Sequence, residues 1–197
     1  MTPRFLALGD SYTIGEGVAP AERWPNLLAA ALEIEEPLII ARTGWTSDEL
    51  SAAIDSANPQ GAFDLVTLLI GVNDHYRGRS AEEYRRAFVP LLRRAIGLGG
   101  GDAGRVIVVS IPDWGVSPFA EGRDGAAIAA GIDQFNAVNR EEAARAGARH
   151  VDVTPVSREA VSGSSLTAAD GLHPSAEMYR RWAGLILPEA RSALSRP

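Results

Sequence analysis

Short apolar runs and longer amphipathic segments alternate along the chain. The apolar runs, rich in Val, Ile and Leu, lie at 4–8, 38–42, 63–70, 105–111 and 148–153. Several of them are continuously apolar, which is typical of strands that are buried on both faces of a parallel sheet. We therefore predict five strands, separated by helices.

The segments between the runs carry signals for the start of a helix. Pro25 precedes NLLAAALE and stands in a first turn, where proline is tolerated. Thr46 with Glu49, in TSDE, and Ser80 with Glu83, in SAEE, have the spacing of a capping box. In a capping box the two side chains satisfy backbone donors that the helix itself leaves free.

Two further helices are predicted at 124–146 and 175–194. Proline lacks a backbone N–H and clashes with the preceding turn, so we expect Pro90 and Pro188 to kink or interrupt their helices. The glycine-rich residues 97–104 are predicted to form a loop between a helix and a strand. The alternating order predicts an α/β three-layer sandwich with right-handed crossovers and helices on both faces of the sheet.

Composition narrows the class of protein. A chain of 197 residues with 46% hydrophobic content can bury one sizeable core, so we expect one domain over 1–197. The net charge of −6 and the scattered arginines argue against a nucleic-acid partner. No apolar run approaches the roughly 18 residues of a membrane span. The run after Arg4 is also too short for a signal peptide, which predicts an unprocessed, cytoplasmic protein.

The residues that are missing exclude several chemistries. All 19 Lys+Arg residues are arginine, which excludes Schiff-base, pyridoxal-lysine and Ser-Lys mechanisms. The chain has no cysteine, which excludes thiol nucleophiles, disulfides and cysteine-bound metal. We expect neither a cofactor nor a metal.

Residues 6–17, LALGDSYTIGEG, look at first like a phosphate-binding loop. The spacing does not fit, because Ser11 follows two residues after Gly9 where G-x-G-x-x-G requires glycine, and a Walker A loop requires lysine. The stretch is therefore either a loop that carries a serine nucleophile or an ordinary polar turn after a strand.

Polar residues follow the predicted strands at one edge of the sheet. GDSYT follows the first strand, RTGWT the second and GVNDHY the third, and DGLHP comes shortly after the fifth. Ligands of open parallel sheets bind outside the carboxyl ends of the strands. The residues brought to that edge are Ser11, Gly44, Asn73, Asp170 and His173.

A serine nucleophile needs a neighbouring base, and the chain offers three histidines. His150 opens a predicted strand at the opposite edge, which indicates a structural or surface role. His75 can contact substrate or be a solvated loop residue. For His173, Asp170 lies three residues earlier and can hold Nδ1, which leaves Nε2 facing Ser11. The alternative is a simple helix cap.

A tetrahedral intermediate also needs donors for its oxyanion. The backbone N–H groups of Ser11 and Gly44 and the side-chain amide of Asn73 are the candidates. Taken singly, Gly44 can equally be a turn glycine and Asn73 an Asx turn.

The four segments GDSYTIGEG, RTGWTSDEL, GVNDHYRG and DGLHPS resemble, in order, the four blocks of the SGNH hydrolases, also called the GDSL esterase/lipase family. The resemblance implies a flavodoxin-like sheet and the hydrolysis of carboxylic esters or thioesters. It also implies Ser11 as nucleophile, His173 as base, Asp170 as its orienting residue, and Gly44 and Asn73 as oxyanion donors.

The sequence differs from related patterns at two positions. Tyr12 stands where the family name has leucine, which narrows the pocket beside Ser11. Thr13 stands where the G-x-S-x-G motif of the α/β-hydrolases has its last glycine.

Three tryptophan and phenylalanine residues near the predicted edge have two possible roles. They either line an acyl site or pack against helices; they are Trp45 and, in the loop 112–122, Trp114 and Phe119.

The leading hypothesis is a serine esterase on small or medium acyl esters, whether lysophospholipid, simple lipid or thioester. The second is a carbohydrate acetylesterase on the same scaffold. The third is a catalytically silent binding module that uses the same cleft. A receiver domain is disfavoured because its active-site lysine is missing.

Overall fold

The computed structural model describes residues 2–161 and 165–195. Five strands form one sheet in the order β2-β1-β3-β4-β5, and every neighbouring pair is parallel. The predicted five-stranded parallel sheet is confirmed. The strands are β1 (Phe5–Gly9), β2 (Leu38–Ala41), β3 (Leu65–Leu69), β4 (Val106–Val109) and β5 (Arg149–Val151).

Eight α-helices lie within the described residues, and the described chain also has short 3-10 turns. The helices are α1 (Ser11–Ile14), α2 (Trp24–Leu32), α3 (Ser47–Ala57), α4 (Val72–Tyr76), α5 (Ala81–Leu98), α6 (Gly125–Ala146), α7 (Thr154–Ser157) and α8 (Ala176–Leu194). The 3-10 turns are Pro20–Glu22, Ala103–Arg105, Trp114–Val116, Pro118–Ala120 and Arg158–Val161.

The sheet is covered on both faces, as a three-layer sandwich requires. Strands β1, β3 and β4 are buried throughout, and the edge strand β2 is partly exposed. Helix α2 packs against α8, and α5 packs against α3 and α6. The hydrophobic core therefore lies between the sheet and the helices on each face.

The predicted helix starts are present. The backbone N–H of Thr46 donates to the Glu49 carboxylate at 2.8 Å. Ser80 and Glu83 exchange hydrogen bonds in both directions, at 2.8 and 3.2 Å. These bonds hold the first turns of α3 and α5, as expected for N-caps.

The predicted interruption at Pro90 and Pro188 does not occur, because α5 and α8 continue through both residues. Both prolines lie on exposed positions of their helices. The carbonyl that each proline leaves without its usual donor, four residues earlier, also belongs to an exposed residue and can bond to water. No helix in the described part of the chain combines the length and the apolar character that a bilayer crossing requires.

Candidate active site

Ser11 is the first residue of α1, directly after β1. Gly9 permits this sharp connection, since a Cβ there would lie 2.1 Å from Thr13 Oγ1 and 2.5 Å from the carbonyl oxygen of Leu69. Asp10 caps the helix, and its Oδ1 accepts from the backbone N–H of Tyr12 at 3.0 Å. The N–H of Ser11 has no partner within a helix at this position. Among the described residues this N–H therefore remains available as a hydrogen-bond donor.

Asp10 is a buried carboxyl group that the sequence did not single out. It is fully buried, and its Oδ2 has no hydrogen-bond partner among the described residues. Burial raises the pKa of Asp10 to about 8, the Tyr12 N–H opposes this shift, and nearby Asp74 adds to it. Asp10 is thus largely protonated at neutral pH. A protonated Asp10 places no negative charge beside the N–H of Ser11.

The raised pKa of Asp10 predicts a pH-dependent loss of stability. An unfolded aspartate releases its proton near pH 4, whereas folded Asp10 keeps it up to a pH of about 8. Stability therefore falls as the pH rises through this window, by up to about 1.4 kcal/mol per pH unit. Asparagine does not ionise, so Asp10→Asn removes this pH-dependent loss of stability. The free energy of unfolding of the variant, measured with urea relative to wild type, should rise steadily from pH 4 to pH 8. A difference that does not change with pH would contradict the prediction.

The ring of His173 is held by Asp170. Its Nδ1 lies 2.6 Å from Asp170 Oδ2, while Asp170 Oδ1 accepts from the backbone N–H groups of Leu172 and His173 at 2.9 and 3.0 Å. Burial raises the pKa of Asp170, but the hydrogen bonds from the ring and from the two N–H groups outweigh it, so the net pKa lies below its ordinary value. An ionised Asp170 keeps the proton on Nδ1 and leaves Nε2 as the basic atom.

Gly44 lies in a four-residue turn, which we call the Gly44 turn (residues 42–45). The N–H of Trp45 closes it on the carbonyl of Arg42 at 3.3 Å, so the N–H of Gly44 takes no part in this bond. Gly44 has a φ of 86°, and a Cβ at this position would meet nothing within 4 Å. Only glycine adopts this conformation without strain.

Asn73 lies in the first turn of α4, immediately after β3. Its Nδ2 donates to the carbonyl of Trp45 at 2.9 Å. A side-chain amide carries two N–H donors, so one bond orients the group and the second remains available for a ligand.

Four of the five predicted edge residues border one cavity of about 190 Å³, which we call the strand-edge cavity. The fifth, Asp170, is hydrogen-bonded to His173 but does not itself border the cavity. Ser11 and His173 are not hydrogen-bonded to each other in the described structure, and such bonds commonly tighten only when substrate binds. The lining is Ser11, Tyr12, Thr43, Gly44, Val72, Asn73, Tyr76, Trp114, Phe119, Leu172 and His173.

The predicted substrate-contacting residues separate into two groups. Tyr12, Trp114 and Phe119 line the strand-edge cavity, whereas Trp45 and His75 do not. Trp45 packs against the core. His75 lies behind Trp114, whose Nε1 donates to His75 Nδ1 at 3.4 Å. Burial lowers the pKa of His75, although Asp113 opposes the shift.

Several lining residues were missed by sequence reasoning. Tyr76 and Leu172 lie within quoted segments, but no pattern distinguished them from their neighbours. The rings of Tyr76, Trp114 and Phe119 form one cluster, with centroids 5.5 to 6.3 Å apart. The third histidine, His150, lies inside β5 and pairs with Val108, away from the cavity lining.

Comparison with known proteins gives one family and many similar structures. The model of the GDSL-like lipase/acylhydrolase family matches residues 7–181. A search of curated proteins finds no similar sequence.

The similar structures cover nearly the whole chain. A lipolytic protein of the G-D-S-L family from Veillonella parvula is 20% identical, with a TM-score of 0.70 over 98% of this chain and 99% of its own. TesA is 22% identical, with a TM-score of 0.72 over 97% and 99%. Axe2, an acetylxylan esterase from Geobacillus stearothermophilus, is 21% identical, with a TM-score of 0.70 over 95% and 94%. At these identities the likeness shows the shared fold.

Proposed function

This chain belongs to the GDSL-like lipase/acylhydrolase family and is an ester-bond hydrolase, and we propose that it cleaves small acyl esters through an acyl-enzyme on Ser11. One observation carries the proposal. A serine at a helix start, a carboxylate-held histidine, a turn glycine and a side-chain amide border the same cavity. Each of these groups has an ordinary structural explanation alone, but acyl transfer uses all of them together.

The proposed reaction begins when His173 Nε2 takes the proton of Ser11 Oγ and Oγ attacks the ester carbonyl carbon. The resulting oxyanion accepts from the N–H groups of Ser11 and Gly44 and from the Asn73 amide. Collapse of the intermediate breaks the bond to the alcohol, which leaves with the proton from His173. Water then attacks the acyl carbon while His173 takes its proton. The bond between the acyl carbon and Ser11 Oγ breaks, His173 returns the proton to Oγ, and the carboxylic acid leaves.

The size of the strand-edge cavity favours short acyl chains. Its volume of about 190 Å³ lies below the roughly 300–1,000 Å³ of typical pockets for drug-sized ligands. Each methylene that enters a dry pocket gains up to about 0.8 kcal/mol, or about fourfold in kcat/KM. With p-nitrophenyl esters of increasing length, kcat/KM should rise over the first few carbons and then level off or fall.

The aromatic wall supplies a matched test of this limit. Phe119→Ala should move the preferred chain length upward, because Phe119 lines the strand-edge cavity. Leu185→Ala is the control, since Leu185 is a similarly exposed apolar residue on α8 outside the lining. A wild-type kcat/KM that keeps rising through long-chain esters would contradict the proposed preference.

A second candidate substrate class is acetylated carbohydrate. The rings of Tyr76 and Phe119 border the cavity with 49% and 40% of their surface exposed, and exposed rings of this kind can stack on a sugar. A kcat/KM for acetate release from acetylated xylooligosaccharide well above that for p-nitrophenyl acetate would assign the enzyme to this class.

Other expectations from the sequence concern the domain organisation, the cofactor requirement, the location and the natural substrate. A single catalytic domain, independence from a metal or cofactor, and a cytoplasmic location remain predictions. Thioesters and lysophospholipids remain candidates for the natural substrate. A complete lack of reaction with a fluorophosphonate would instead favour the catalytically silent binding module.

A further inference from the structure

The Gly44 turn is held by hydrogen bonds to two successive carbonyl groups. Asn73 Nδ2 donates to the carbonyl of Trp45 at 2.9 Å. Arg77 Nη2 donates to the carbonyl of Gly44 at 2.7 Å. The turn has little packing on its glycine, since a Cβ at Gly44 would meet nothing within 4 Å. Thr43 Oγ1, on the other side of Gly44, donates to the Glu16 carboxylate at 2.5 Å. These polar contacts on both sides of Gly44 therefore restrain its two peptide groups, one of which carries the Gly44 N–H.

Arg77 is itself held in place. It follows α4 directly as the C-cap residue, and its guanidinium pairs with the Glu49 carboxylate at 3.2 Å. Glu49 in turn accepts from the backbone N–H of Thr46, at the start of α3. The guanidinium thus connects the end of α4, the start of α3 and the Gly44 turn between them.

The ion pair does little for stability. The side chains of Arg77 and Glu49 are 50% and 45% exposed, and ion pairs at such positions contribute little to folding. The Arg77 guanidinium lies 2.7 Å from the carbonyl oxygen of Gly44 and 3.2 and 3.4 Å from the two carboxylate oxygens of Glu49. The hydrogen bond to Gly44 is therefore the shortest of its three contacts. Its effect should therefore appear in the geometry of the turn.

We propose that Arg77 is a positioning residue that fixes the Gly44 turn so that the Gly44 N–H stays directed at the oxyanion. The inference rests on the proposed function, which assigns Gly44 as an oxyanion donor. Glycine is the most flexible residue of the backbone, and a donor aimed at a transition state must be oriented in advance. Arg77 supplies this orientation through the carbonyl of the same residue.

The test is Arg77→Met, which keeps an unbranched aliphatic side chain and removes the guanidinium donors. We expect kcat to fall by about 10- to 100-fold with KM within about twofold, because a misdirected donor weakens only the transition state. The melting temperature should change little. Arg77→Lys should recover part of kcat, because an ammonium group can still donate to the carbonyl but lacks the planar fork.

A second readout is affinity for a trifluoromethyl ketone, which forms a tetrahedral oxyanion adduct on the serine. Arg77→Met should weaken this adduct by about the same factor as kcat and leave the affinity for the product carboxylate unchanged. Arg94→Met is the matched control, since Arg94 makes a similar exposed pair with Asp55 and does not line the strand-edge cavity.

The outcomes separate the two proposals. If Ser11→Ala and Asn73→Ala lose turnover while Arg77→Met keeps wild-type kcat, the role of Arg77 is overturned and the proposed function stands. The role is also overturned if Arg77→Met changes KM alone, or if Arg94→Met loses kcat equally. If Ser11→Ala keeps turnover, the proposed function fails, and the role of Arg77 fails with it.

Discussion

Replacing Ser11 with alanine is expected to lower kcat by about 10⁴-fold or more. Without Oγ no acyl-enzyme can form, and only the oxyanion donors and substrate binding remain. Because Ser11 lines the cavity at the end of β1, the smaller side chain should leave the fold intact. Kinetics with a short p-nitrophenyl ester and a thermal melt of each protein measure the two effects.

Labelling with a fluorophosphonate tests the same residue by a different route. The wild type should gain the mass of one phosphonyl group, and peptide mapping should place it on Ser11. Ser56→Ala is the control, since Ser56 is an exposed serine on α3 and its loss should leave labelling unchanged. An adduct on Ser117, or on Ser164, which lies outside the described residues, would contradict the assignment.

Replacing His173 with alanine is expected to have an effect of similar size, about 10⁴-fold or more in kcat. The variant retains Ser11 but lacks the base that removes its proton. His75→Ala is the matched control, because His75 lies behind Trp114 and outside the cavity lining. It should keep most of the turnover. The reverse ranking of the two variants would refute the choice of base.

The pH dependence distinguishes a base from a residue that only supports the site. The imidazole must be neutral to accept the Ser11 proton, so wild-type kcat/KM should fall as the pH is lowered. Asp170 does not cause a fall in activity near neutral pH, because its pKa lies below the ordinary value of an aspartate. The residual activity of His173→Ala should lose the dependence. If the variant retains the wild-type pH profile, His173 is not the base.

The fold could be predicted from the sequence because it follows from local patterns. The runs of Val, Ile and Leu correspond to the five strands, since strands buried on both faces of a parallel sheet carry short, continuously apolar stretches. The two prolines show the limit of local reasoning. Pro90 and Pro188 disfavour helix locally, but burial of the apolar faces of α5 and α8 outweighs that cost.

Part of the candidate site could also be predicted. Ser11, Gly44 and Asn73 each follow a strand within a few residues, so the parallel topology alone brings them to one edge. The pairing of Asp170 with His173 required only their spacing of three residues and a tight turn between them. Such short-range relations are visible in a sequence.

What the sequence determined by itself is the layered sheet and the edge at which its polar residues meet, because strand pattern and chain order suffice for both. The tertiary structure alone decided which of the other side chains line the strand-edge cavity. It buried Asp10 beside the nucleophile, turned His75 behind Trp114, and brought Arg77 to the carbonyl of Gly44, 33 residues earlier in the chain. The burial of a side chain, and therefore its pKa, depends on atoms from several distant segments. The same is true of the hydrogen-bond partner that a long side chain reaches. No local pattern encodes them.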